Sequence, residues 1–447
     1  MHDYRRIADR IAADISAGRL RPGERLPPQR KFARRHGIAA STAERAYGEL
    51  VRRGLVVGEV GRGTFVRTTP PVRPGRGLIE DAGAAVNLEL NYPSVEGQSE
   101  LLAATLAPLL RPDVLAEALR PAAADGTPAA REATAALLTT PGWRPGPDRI
   151  LFTGNARQSV AAALASLVRP GGRVGVEELT YPVVVEIAAR LGITLVPLAT
   201  DEDGLRPDAV VAAHRTAPLS ALYVQPTLHN PTSVTTSPER RHQLADAVSD
   251  LDLPVVEDRI WSFLAETDDP LAAHAPGLVH VVDGLSKRVA PGLTVGFLVV
   301  PPSRVQAVAD AVRSGGWGAG RFALEAATGW MTDGTVARLV RAKRADAAHR
   351  QRVLARCLAG FAVRSDPRAY YAWWQLPAPW RSETFTAAAA ALGIAVSPGP
   401  SFAVDPGRTP DAVRLGLASA PPADLERALR TLAELASRGA GQSSRPS

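Results

Sequence analysis

Residues 283–297 read DGLSKRVAPGLTVGF, and the fifth of them, Lys287, is one of only three lysines in the chain. There are 52 Lys+Arg, and apart from Lys31, Lys287 and Lys343 all of them are arginine. Were basic side chains placed indifferently, a lysine at any one basic site would occur about 3 times in 52, roughly 6%. Lysine does one job that arginine does not. It forms a Schiff base with an aldehyde, whereas a guanidinium stays protonated and is a poor nucleophile. Outward from this stretch, short β-branched runs alternate with Ala-rich helical segments. The runs are 150–153, 173–176, 194–198, 221–225, 254–257, 279–282 and 295–300. Runs this short, apolar on both faces, read as strands of a mostly parallel seven-stranded sheet covered by helices, an α/β domain. After about residue 302 the pattern turns helical, and 370–376 (YYAWWQL) and 413–418 (VRLGLA) read as strands of a smaller C-terminal α+β lobe.

Four groups lie just after strand ends, where ligands of open α/β sheets bind. They are of the kinds a pyridoxal 5'-phosphate site would need. A pyridine ring needs a carboxylate for its nitrogen, a donor for its phenolic oxygen, a planar group on its face and anion-binding amides for its phosphate. Asp258 in VVEDRIWSF ends a strand, Asn230 sits in QPTLHNPTS, and Tyr181 sits in EELTYP. Gly154, Asn155 and Ala156 in FTGNARQSV link a strand to a helix start. Taken singly, each has an ordinary structural reading as well. Asp258 reads as a helix cap or surface acid, Asn230 before Pro231 as a turn residue, Tyr181 as core, and Arg414 in VRLGLA as one half of a salt bridge.

The net charge of +7 is located at one end. Residues 1–70 carry 15 Lys+Arg against 7 Asp+Glu, which leaves 37 against 38 for everything downstream. A basic module on a neutral body points to a polyanion, double-stranded DNA above all, at the N-terminus. Within that module residues 4–17 form an amphipathic stripe of Ile7, Ile11 and Ile15. A second helix is expected over 27–36, stopped by Gly37, and a third over 41–53, stopped by Gly54. The third puts Ala43, Ala46, Tyr47 and Leu50 on one face and Thr42, Arg45, Glu49 and Arg52 on the other. Runs 55–57 and 64–66 flank GEVGRG as a tight hairpin. Three helices and a hairpin outline a winged helix-turn-helix. Residues 67–85, rich in Pro, Gly and Arg, read as a linker. With 45% hydrophobic and 22% charged residues, disordered, collagenous and disulfide-scaffold classes drop out. A lone Cys357, no apolar leader and no apolar run of roughly 20 residues predict a cytoplasmic protein without a membrane span. No metal site is expected.

The stretch LPPQRKFARRHGIAASTAERAYGELVRRGLVVGEVGRGTFV resembles the DNA-binding core of the GntR family. The order TGNAR, TYP, HNPT, ED, SK-x-x-APGL-x-x-G and RLG resembles fold-type I aminotransferases. Together they look like a MocR-type regulator, a GntR winged helix fused to an aminotransferase-like effector domain. The resemblance implies DNA contacts from Arg30, Thr42, Arg45, Arg52, Arg62, Gly63 and Thr64. It implies that Lys287 carries the internal aldimine of pyridoxal 5'-phosphate, that Asp258 pairs with the pyridine nitrogen, that Asn230 bonds the phenolic oxygen and that Tyr181 stacks on the ring. Gly154, Asn155, Ala156, Ser286 and Arg288 would complete the cofactor site, and Arg414 would hold the carboxylate of an amino-compound effector. A homodimer is implied. The expected layout is a winged helix over 1–66, a linker over 67–85, a large α/β domain over 86–302, a helical and small α+β lobe over 303–440 and a disordered tail over 441–447.

The sequence departs from these patterns at several places. Ala39-Ala40 stands where the GntR family has Ser-Arg, so a base-reading arginine is missing. Thr294 occupies the place of the phosphate-binding arginine, Gly284 that of a Ser or Thr, and Ile260 that of a tyrosine. Arg288 and Arg157 adjoin the site as candidates to replace the missing cation. Three readings follow: a regulator that senses the cofactor and an amine, a working aminotransferase with a DNA-binding appendage, and a DNA-binding dimer whose body has lost the cofactor.

Overall fold

The computed structural model describes residues 4–16, 19–20, 23–52, 55–59, 63–66, 84–265, 269–405 and 410–441. The expected linker, apart from its last two residues, Arg62 and the tail beyond Gly441 lie outside the described residues, as does the side chain of Arg52.

The N-terminal module holds helices Tyr4–Ser16, Gln29–His36 and Ala40–Arg52. The second ends as its sequence dictates. Gly37 adopts the left-handed conformation at φ 62° that a side chain would strain, and its N–H closes back on the helix. The predicted inner face of the third helix, Ala43, Ala46, Tyr47 and Leu50, is buried, and Tyr47 Oη donates to the Pro27 carbonyl at 2.8 Å. Strands Val56–Glu59 and Gly63–Val66 pair antiparallel as the hairpin. A third strand, Arg25–Leu26, joins them, which the turn-like RPGE sequence before it concealed.

The body is built on a seven-stranded sheet in the order Ile150–Thr153, Gly296–Val299, Val279–Gly284, Val255–Asp258, Ala221–Val224, Arg173–Glu177, Thr194–Leu198. All seven predicted strands are present, within two residues at each end. Only Gly296–Val299 runs against its neighbours. Helices cover both faces, and two apolar clusters fill the layers, one around Phe152, Leu222, Val255 and Phe297, the other around Val174, Tyr223, Val256 and Leu298. Strand side chains therefore alternate between two cores, which is why the runs are apolar throughout.

A second sheet, in the order Val363–Ser365, Tyr371–Gln375, Ala412–Gly416, Ser397–Pro398, forms the smaller C-terminal lobe. One expectation is corrected here. Val86–Asn87, placed at the start of the large domain, pairs in parallel with Ile394–Ala395, and Leu88 packs in the core of the small lobe. The register comes from a partner more than 300 residues away, which no local pattern reveals. Among the described residues, no helix is long and apolar enough to cross a membrane.

Candidate cofactor site and its relatives

A cleft of about 280 Å³ opens at the C-terminal ends of the parallel strands. It is lined by Asn155, Ala156, Tyr181, Asn230, Asp258, Ser286, Lys287 and Arg414, eight of the positions singled out in the sequence. All but Arg414, which comes from a strand of the small-lobe sheet, reach the cleft for a simple reason. Parallel strands all end on the same edge of the sheet, so residues just past those ends converge.

Lys287 lies on the four-residue helix Leu285–Arg288 directly after strand Val279–Gly284. Its Nζ donates to the Asn91 carbonyl at 2.7 Å and sits 4.3 Å from the Tyr92 ring centre and 5.1 Å from that of Trp261. Burial, followed by the charges of Arg157, Arg414 and Lys343, holds its amine well below the usual lysine range. A lysine amine lowered in this way favours the free, nucleophilic form more than an exposed one does.

Asp258 ends its strand fully buried. One carboxylate oxygen accepts from Tyr223 Oη at 2.8 Å and Gln225 Nε2 at 2.9 Å, and the other from the Ile260 N–H at 3.0 Å. Burial raises its pKa against these hydrogen bonds. A carboxylate so placed gains by pairing with a cation or an acidic N–H in the cleft. Asn230 donates its backbone N–H to Gln225 Oε1 at 3.3 Å, and its buried Oδ1 has no partner. Tyr181 lies alongside, its Oη accepting from Arg157 Nε at 3.1 Å.

At the anion end, Asn155 caps helix Ala156–Leu167, its side chain accepting from the Gln158 N–H at 3.1 Å. Ser286 Oγ and Thr294 Oγ1 lie 3.1 Å apart. Two expected members are not brought to the cleft. Gly154 turns its N–H to the Trp317 carbonyl at 3.1 Å. Arg288 points to the other side of the lysine helix, in a buried ion pair with Asp283. Its guanidinium is held there by both Asp283 oxygens and the Gly284 carbonyl, so it does not reach the cleft. Arg157, the other candidate cation, does line it.

Arg414, on strand Ala412–Gly416, is 2% exposed. It donates to the Glu89 carbonyl and, at 3.3 Å, to Ser397 Oγ, while its Nε has no partner. Burial draws its pKa down to about 10. Sequence reasoning missed Asn91, Tyr92, Gln225 and Trp261, which also line the cleft. Gln225 carried a signal, as a polar residue at the end of an apolar strand; the others carried none.

Residues 117–432 match Aminotransferase class I and II. The chain belongs to that family. Residues 3–66 match the bacterial regulatory proteins of the gntR family, so a GntR helix-turn-helix is fused to an aminotransferase domain, the MocR-type arrangement. The uncharacterized HTH-type transcriptional regulator YdeF of Bacillus subtilis is 28% identical over 93% of this chain and 90% of its own length. The HTH-type pyridoxine biosynthesis transcriptional regulator PdxR of Corynebacterium glutamicum is 25% identical over 78% of this chain and 77% of its own. Among solved structures, the α-aminoadipate aminotransferase LysN of Thermus thermophilus, complexed with N-(5'-phosphopyridoxyl)-L-leucine, superimposes with a TM-score of 0.72 at 22% identity. That match covers 81% of this chain and 94% of LysN. The fold is that of a fold-type I aminotransferase, and the chain is a DNA-binding regulator of the MocR type.

In the DNA-binding module Arg30 and Arg45 are exposed, and Thr42, Gly63 and Thr64 are half-buried. Arg30 lies on the second helix, Thr42 and Arg45 on the third, and Gly63 and Thr64 on the hairpin.

Proposed function

We propose that this regulator senses pyridoxal 5'-phosphate and an amino compound through the cleft around Lys287. The observation that carries this reading is the meeting, in one cleft, of a buried amine, a buried carboxylate and the side-chain amide of Asn230, whose NH2 is the donor a phenolic oxygen needs. The residues fit the group. Lys287 is the nucleophile toward its aldehyde, Asp258 holds the pyridine nitrogen, Asn230 the phenolic oxygen, and Tyr181 covers the ring. Asn155, Ala156 and Ser286 face the phosphate, and Arg157 supplies there the cation that Thr294 does not. The cofactor contributes an electrophilic aldehyde and an electron sink. Arg414 fixes the carboxylate of the amino compound through its unpartnered Nε, which orients the amine toward Lys287.

DNA response follows if the liganded and free bodies differ in the arrangement they impose on two winged helices, a differential-affinity mechanism. The signal then requires a homodimer on two half-sites. Exposed Leu293, in the loop after Lys287, and exposed Phe322 suit such an apolar contact.

The test is a visible-absorption titration of the purified protein with pyridoxal 5'-phosphate, beside Lys287→Ala. A band of covalently attached cofactor in the parent and none in the variant is the expected result. Absence of the band in both overturns the sensing role and leaves a DNA-binding dimer with a cofactor-free body. Steady turnover of an amino donor with a keto acid would convert the sensor into an enzyme. Arg157→Gln is expected to weaken pyridoxal 5'-phosphate about tenfold and leave pyridoxal, which lacks the phosphate, unchanged. Equal loss of both would remove Arg157 from the phosphate.

A further inference from the structure

Of the three lysines, Lys343 has no place in the site just described, yet it is fully buried. It stands on helix Thr335–Cys357, and its Nζ donates to the Lys287 carbonyl at 3.0 Å and the Val289 carbonyl at 2.6 Å. Both acceptors lie at the end of the short helix that carries Lys287. That helix is one turn long, so its last carbonyls have no partner within it. The Leu285 carbonyl accepts the Val289 N–H and the Gly284 carbonyl accepts Arg288. The Lys287 carbonyl falls to Lys343, and the Val289 carbonyl is shared between Lys343 and Gln98 Nε2, which donates at 3.2 Å. The same segment is held behind by the Arg288–Asp283 pair.

We propose that Lys343 is a positioning residue for Lys287, a second lysine that pins the backbone of the first and so sets the reach and reactivity of its side chain. The inference rests on the reading of Lys287 as the cofactor's nucleophile. Its support is chemical as well as geometric. An apolar side chain would fill this buried volume without giving up hydration, but would leave the Lys287 carbonyl unsatisfied and the Val289 carbonyl with only Gln98 Nε2, at 3.2 Å. Arginine, used at nearly every other basic position, presents a planar fork, whereas the ammonium is a compact donor able to reach two acceptors on one backbone turn. Lys343 is itself anchored, since the Tyr370 hydroxyl lies 2.7 Å from its carbonyl and 2.9 Å from Asp346 Oδ2 and shares its one proton between them.

An electrostatic consequence follows. The charges acting on Lys287 are Arg157 from helix Ala156–Leu167, Arg414 from strand Ala412–Gly416 and Lys343 from helix Thr335–Cys357, with the Tyr92 and Tyr181 hydroxyls nearby. Burial lowers Lys343 to about 7, against the opposing charge of Asp346. Lys343 thus gains or loses its charge close to neutrality, and while charged it disfavours the protonated form of Lys287.

The experiment measures the rate of cofactor attachment against pH for the parent, Lys343→Met and Lys343→Gln, with Lys287→Ala as the zero. In Lys343→Met the rate at neutral pH should fall about tenfold and the pH midpoint of the amine should rise by about one unit. Lys343→Gln, which keeps a donor but no charge, should recover rate and not the midpoint. A purely structural role would leave the midpoint where it is. A parent that reacts, with both variants matching it in rate and midpoint, overturns the inference and leaves the cofactor reading standing.

A parent that does not react overturns the cofactor reading instead. In that case, or if the variants do not fold, lysine-specific ¹⁵N labelling of the full chain decides. Only three side-chain signals arise, and the Lys287 signal should respond at the Lys343 midpoint near 7. Independent titration of the two overturns the inference.

Discussion

Glu177→Gln removes a buried acid beside the cleft while keeping its shape. Glu177 is 3% exposed, its Oε1 accepts the Gln225 N–H at 2.9 Å, and its Oε2 has no partner. Burial, reinforced by the charge of Asp258 and opposed by backbone hydrogen bonds, lifts its pKa from 4.5 to about 7. A carboxyl raised in the folded state stabilises it fully below the unfolded value, and that contribution is lost as pH rises toward the folded value. The shift corresponds to about 3 kcal/mol at alkaline pH, of which about 2 kcal/mol develops between about pH 5.5 and about pH 8.5. Glutamine carries no such penalty. The variant should therefore be more stable than the parent by about 3 kcal/mol at pH 8.5, with a smaller gap at pH 5.5. His229 and His280, both buried and lowered to about 4, slope the other way, losing stability as pH falls from 6.5. The comparison is accordingly between parent and variant at each pH, by urea denaturation followed through tryptophan fluorescence. A parent–variant gap that is the same at both pH values would refute the reasoning, because it would mean that Glu177 is already ionised in the folded protein at the lower pH.

Three further outcomes are expected. Arg288→Ala leaves Asp283 buried without its partner and should destabilise the body by about 3–5 kcal/mol in the same denaturation assay, with no selective loss of pyridoxal 5'-phosphate over pyridoxal. A selective loss would return Arg288 to the phosphate site. Gly296→Ala would place a methyl 2.4 Å from the Asn155 backbone carbon and from Thr153 Oγ1, so the strand and the start of helix Ala156–Leu167 must part. About 1–3 kcal/mol of stability and much of the cofactor affinity should go together, and full affinity in the variant would show that this helix end is not the phosphate seat. Arg45→Ala should weaken binding to duplex DNA across sequences and lower the slope of log affinity against log salt by about one, measured by fluorescence anisotropy. An unchanged slope would remove Arg45 from the DNA backbone.

The local chain already states much of this architecture. The strand over 150–153 is legible to the residue, because a strand buried on both faces must be apolar at consecutive positions and must stop at a polar turn. The third helix of the winged module is legible because one buried face repeats every three to four residues. Lys287, Asp258, Asn230 and Tyr181 were legible as a set, because each follows a strand end and parallel strands end on one edge. What each of them touches was not. The Asn91 carbonyl that receives Lys287 Nζ comes from 196 residues earlier, and Lys343 from 56 residues later. Val86–Asn87 found its strand partner in the opposite lobe. Arg288 and Arg157 looked equivalent as neighbours of the site, and only the tertiary placement of Asp283 against the first and of the cleft against the second separated a buried ion pair from a lining cation. Spacing along the chain prescribes periodicity and strand ends, which are local. Contacts between segments, and with them the charge state of a buried amine, depend on long-range packing that desolvates some groups and pairs others.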